Sequence, residues 1–264
     1  TFCIRGIIRG YMRVYVCEDS FEGLMTAVYS AWADKLGHKN VRLELEGEYN
    51  LQLFAEYVSV KPDKEKTEKV IRTLRKISEE VFTCVYRAAM SKEKEKANKI
   101  YHFIVLAVYT GPEVMKQLGN PVVMDVFELA RKVMNEAHRF LQFVRFEELE
   151  NKILFSKIAP KSYVLTLIAP HFEDRLMGEN WIIYDEVHKM AAVHVKNAQW
   201  ALVDTEISMG DSAKKESAEN RKYEELWKLF FHTIGIEARK NPKCQQNFLP
   251  LWYRKNMLEF DQQE

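Results

Sequence analysis

NWIIYDEVHKMAAVHVKNAQWALVD, residues 180–204, is the stretch that decides the fold. It divides into three short strands, with turns near Glu186–His188 and at Lys196–Asn197. In the first strand, Trp181 and Ile183 share one face while Ile182 and Tyr184 share the other. Short strands joined by tight turns form an antiparallel sheet more readily than a parallel one. Immediately upstream, FVRFEELENKILFSKIAP (143–160) reads as two strands around a Glu-Asn turn, and SYVLTLIAPHFEDRL (162–176) as a helix. Downstream, ESAENRKYEELWKLFFHTIGI (216–236) has a helical pattern, and Asn241-Pro242 opens a basic tail.

The first half follows a different pattern. Met12–Cys17 alternates Val14 and Val16 with Arg13 and Tyr15, as a strand does. A helix over 21–36 follows, capped by Asp19 or Ser20, with Leu24, Val28, Trp32 and Leu36 on one face and Gly37 ending it. VRLELEG (41–47) and EYVSVKP (56–62) read as strands. From Asp63 the period becomes helical, and Val70, Ile71, Leu74, Ile77, Val81, Val85 and Tyr86 form one stripe. SKEKEKAN (91–98) begins another helix, and its alternating charges read as a solvated face. Thr110-Gly111-Pro112 ends it, and a long helix starts at Pro121.

Strands and helices show no regular β-α-β alternation, so the expected class is α+β. The expected division is a mainly helical part over 12–142 with a few short strands, then an α+β part over 143–264. That second part holds the antiparallel β-rich block, a C-terminal helix and the tail. Gln142 is the seam, and one compact body can hold both parts. Residues 1–11 match no regular pattern and read as an extension or an expression remnant, whose deletion is expected to leave folding intact.

Composition narrows the classes. Of 264 residues, 47% are hydrophobic and 29% charged, which is the profile of a folded chain. Lys+Arg 39 against Asp+Glu 38 leaves almost no net field, so any polyanion site must come from local charge. Cys3, Cys17, Cys84 and Cys244 are scattered, without a zinc or redox spacing, and read as buried reduced thiols. The sequence shows no membrane span and no signal peptide, and a cytoplasmic location is expected. Nucleotide-loop, zinc-protease and nucleophile-elbow motifs are missing from the sequence, and no cofactor is expected.

Three residues are weak catalytic candidates. His171 stands beside Glu173 and Asp174 on one helical turn, where an imidazole and a carboxylate can meet. His138 lies near a helix end, and Asp185 closes a strand as a base or, more commonly, as a turn former. Arg145, on a strand face shared with Phe143, can pair with a carboxylate or a phosphate.

The tail, RKNPKCQQNFLPLWYRKN (239–256), holds five basic residues, three aromatics and no acid. It fits either a polyanion groove or a basic strap over a core. Arg239, Lys243 and Arg254 are candidate phosphate contacts, Asn241 and Gln245 further polar contacts, and Trp252 and Tyr253 candidate stacking platforms. Pro250 should divide the tail into two pieces that bury Cys244, Phe248 and Leu249.

VYVCEDSFEG, NLQLFAEY, FELARKVMNEAHRFLQFVRFEEL, PHFEDR with ENWIIYD, and NPKCQQNFLPLWYRKNMLEF together resemble an uncharacterised bacterial family described as probable DNA metabolism proteins. The resemblance runs from Met12 to Phe260. It implies a DNA-linked role beside a radical S-adenosylmethionine protein, and a related domain occurs fused to a uracil-DNA glycosylase-type domain. It supplies no reaction and no catalytic residue. The leading expectation is a DNA-binding accessory protein in repair or base modification, partnered by the radical enzyme. The alternatives are a DNA-processing hydrolase, nuclease- or glycosylase-like, and a protein-interaction adaptor. Iron is not expected in this chain, because its cysteines are not clustered.

Overall fold

The computed structural model describes residues 12–47, 53–204, 225–230, 233, 241–257 and 260. The 1–11 segment, Cys3, Arg239 and most of the expected 216–236 helix lie outside the described residues. The class is α+β, with helices in both halves and an antiparallel-rich sheet in the second. The chain divides into two compact units, 1–133 and 134–264. The expected seam, Gln142, lies in the last turn of the helix that crosses this division.

The first unit is built on a three-stranded sheet ordered β2-β1-β3, from β1 (Met12–Cys17), β2 (Val41–Leu45) and β3 (Ala55–Val60). Both neighbours run parallel to β1. A central parallel strand is covered on both faces, so Tyr15 is as buried as Val14 and Val16, against the alternation expected. Its hydroxyl donates to the Asp34 carboxylate, which also takes Arg13. The first expected helix is shorter than its apolar stripe. α1 (Phe21–Ala33) starts on Ser20, whose Oγ accepts from Gly23 N, and stops before Lys35 turns to φ 53°. Asp34, drawn onto β1, removes the last turn that Leu36 would have continued.

The long stripe after Asp63 is two helices, α2 (Lys64–Ile77) and α3 (Glu79–Ala89). Ser78 divides them in an extended conformation, its Oγ accepting from Glu80 N. The run at 91–98 is also corrected: α4 (Lys96–Thr110) begins late, and Lys96 is only 1% exposed. Its ammonium lies 2.6 Å from Asp19 and donates to Ser91 O. An alternating-charge pattern carries no information about a carboxylate waiting on the distant β1–α1 loop.

α5 (Pro121–Phe143) leads into the second unit, whose five-stranded sheet is ordered β4-β5-β6-β7-β8. The strands are β4 (Glu147–Glu148), β5 (Leu154–Ile158), β6 (Trp181–Asp185), β7 (Met190–His194) and β8 (Ala201–Asp204). The expected hairpins are present, but β5 and β6 are parallel, joined through α6 (Leu165–Arg175). With β1-α1-β2, the fold therefore contains two local β-α-β units that strand spacing did not reveal. Trp181, Ile183 and Ile158 face inward against Phe140, Ile168 and Phe172.

Among the described cysteines, Cys17 and Cys84 are buried as expected, and Cys244 is exposed. Burial pushes the Cys17 thiol up to about 12 and the Cys84 thiol up to about 11. A thiol reagent at neutral pH should therefore modify Cys244 at least about tenfold faster than either. Peptide mapping after timed labelling checks this, and equal rates at Cys17 and Cys244 would contradict the packing.

Candidate nucleic-acid interface

The parallel pair β5 and β6 ends in register, with Ile158 beside Asp185 and Glu186 N donating to Ile158 O at 3.0 Å. Ligands in open α/β arrangements commonly sit at such carboxyl ends, because the loops that follow can splay apart there. Here the tail joins that edge. Asn241 caps α7 (Pro242–Phe248), its Oδ1 accepting from Cys244 N. Pro250 then breaks the chain before α8 (Leu251–Arg254), so the tail is two pieces as expected. The burial expected of it is corrected. Cys244 and Phe248 are exposed, the latter by 77%, and Leu249 is half-buried. Pro250 separates this seven-residue helix from the piece that follows, and among the described residues nothing covers Phe248.

What anchors the tail is its second piece. Trp252 Nε1 donates to Ala159 O at 2.6 Å, just past the end of β5. Tyr253 packs on Phe140 and Phe143, with the Arg139 guanidinium over its ring at 5.6 Å. Burial raises the Tyr253 hydroxyl above its usual range. Arg254 turns inward, donating to Leu249 O and lying over Phe260, so it braces the tail rather than facing solvent. Lys255 donates to Glu186 at 2.6 Å, and Lys157 meets the other Glu186 oxygen at 2.6 Å. Burial alone would raise the Glu186 carboxyl, but the two lysines overcome it and hold it below its ordinary value.

Trp252, Tyr253, Arg254 and Lys255 fasten the tail, yet the fastening leaves cations and a ring face outside. Trp252 is 47% exposed, with the Lys161 ammonium over it at 5.0 Å, and Lys161 N donates to Glu136. Lys157, Lys161 and Lys255 are all exposed. Lys243 and Gln245 are exposed on α7. Arg139, Lys157 and Lys161 were missed by sequence reasoning. The signal available was K-x-x-x-K across the end of β5, unremarkable without knowing that the tail lands there.

The other candidates separate. Arg145 is not on a strand: Phe143 ends α5, and Arg145 donates to Gln142 O and Val144 O at that helix end. Its guanidinium satisfies carbonyls that the terminating helix leaves open. His138 is exposed on α5 and bonds Gln142, while His171 is exposed on α6 with its ring edge to Phe172. Glu173, its expected neighbour in chemistry, accepts instead from Trp200 N. Asp185 is 1% exposed and gathers the β6–β7 turn, accepting from Val187 N and His188 N. His188, which sequence reasoning passed over, lies 2.6 Å from its second oxygen. Among the described residues, no group of three or more His, Cys, Asp or Glu is placed to hold a metal, and no helix is long and apolar enough to cross a membrane.

A family model described as a domain of unknown function, DUF4130, matches residues 94–259, more than half of the chain. Among curated proteins nothing matches. A solved chain titled as the DHH domain of a member of the S1p family of ribosomal proteins is 10% identical, with 71% of this chain and 74% of that one covered and a TM-score of 0.34.

Proposed function

The chain belongs to the DUF4130 family, and we propose that it is a nucleic-acid-binding accessory protein for DNA repair or base modification. One observation carries the reading: the Lys161 ammonium lies over the half-exposed indole of Trp252, and exposed Lys157 and Lys255 meet on Glu186 at the carboxyl edge of β5 and β6. Cations that follow a backbone, together with a ring on which a base can stack, are the two elements of single-strand binding. Lys243 and Gln245 extend the same tail surface. The radical S-adenosylmethionine partner is part of the proposal and rests on the resemblance alone.

The test is titration of a labelled single-stranded oligonucleotide against the whole chain and its Trp252→Ala variant. Loss of a stacking face should weaken binding by about 1–3 kcal/mol. Far-ultraviolet circular dichroism establishes that the variant is folded. A folded variant that binds as tightly as the parent would remove Trp252 from the interface.

A further inference from the structure

His188 occupies the β6–β7 turn at the same edge and is held on three sides. Its backbone N–H donates to Asp185 Oδ1 at 3.1 Å, its Nδ1 lies 2.6 Å from Asp185 Oδ2, and the Tyr163 ring covers it at 4.0 Å between centroids. A carboxylate only accepts, so Nδ1 must carry a proton and donate to Asp185. The ring's orientation is thereby fixed, and Nε2 is the nitrogen left over. The side chain is 11% exposed, and Nε2 has no hydrogen-bond partner among the described residues. Among the described residues, Asp185 and Tyr163 lie against the ring, Glu186 and Lys189 flank it in sequence, and Lys157 and Lys255 reach Glu186.

We propose that His188 is a phosphate-contacting residue whose contact depends on pH. With Nδ1 committed to Asp185, the neutral ring presents a lone pair at Nε2 and repels an anionic oxygen. The protonated ring presents an N–H there and donates a charge-assisted hydrogen bond to it. Lys157 and Lys255, two residues away through Glu186, favour the approach of the same anion. The ligand is a phosphate of the strand bound at this edge, so the inference rests on the nucleic-acid reading and adds its pH dependence. Stabilisation of the turn by Asp185 and the His188 ring needs no strand, so it does not predict ring signals that move when the strand is added.

The experiment titrates a single-stranded oligonucleotide against the parent and His188→Gln at about pH 6 and about pH 8.5. The variant should bind about tenfold more weakly at the lower pH, and the two should converge at the higher. On the unsubstituted chain, the His188 ring proton signals should move when oligonucleotide is added at the lower pH. Equal affinity of parent and variant at the lower pH, or ring signals that stay still while the strand binds, overturns the inference and leaves the nucleic-acid reading standing. A parent that binds no strand at either pH overturns both.

Discussion

Replacing Lys157, Lys161 and Lys255 together by Ala is expected to weaken single-strand binding about 30- to 100-fold at low salt. The slope of log affinity against log salt should become shallower by about 2, since each lost phosphate contact on a single strand removes about 0.7. The three side chains come from β5, the loop after it and the tail: Lys157 and Lys255 meet on Glu186, and Lys161 lies over Trp252, which is tied to Ala159 O. Lys157 and Lys255 share the single carboxylate of Glu186, so the pair carries more positive charge than it neutralises internally. Lys69 and Lys116, exposed in the first unit and paired with Glu65 and Glu113, provide the control. Their double Ala variant should bind like the parent. Equal losses in both variants would mean diffuse attraction to lysine, not a site.

The second large effect concerns the platform beneath. Trp181→Ala should lower the stability of the second unit by about 3–5 kcal/mol, the usual cost of removing a large core aromatic. Trp181 is 0% exposed and lies flat against His194, with ring centroids 5.1 Å apart and planes 8° from parallel. It packs in the same cluster as Phe140, Ile168 and Phe172. Its strand carries Asp185 at the other end, so losing the packing should also loosen the β6–β7 turn. Denaturant unfolding with amide exchange on β6 and β7 measures this. Parent-like protection in the variant would contradict the packing.

Much of this architecture could be read before any coordinates. Turn residues in 180–204 located three strands and the Glu-Asn turn located the hairpin before them, while WIIYD alternates because a half-buried strand imprints its face on the sequence. The parallel pairings could not be read that way. β5 meets β6 across α6, and nothing local in LFSKI or WIIYD records the direction of a partner strand. The site was legible by halves. The tail's composition pointed to Trp252 and Tyr253, but Lys157 and Lys161 join them only through tertiary placement. Asp185 was read as a turn former and is one, whereas the His188 ring on its second oxygen depends on a side-chain geometry that spacing alone does not specify. The strand expected at Arg145 is missing for a simpler reason: the helix runs on to Phe143, where aromatic residues fit a helix end as well as a strand.

We propose that the carboxyl edge of β5 and β6, with the tail fastened across it, holds a single strand of nucleic acid. Fluorescence anisotropy of a labelled single-stranded oligonucleotide, titrated with the whole unsubstituted chain at three salt concentrations, tests it most directly. The account predicts saturable binding whose affinity falls with salt at a log–log slope of about −2 to −3, as three or four lysine–phosphate contacts require. No binding at low salt, or an affinity indifferent to salt, would contradict it.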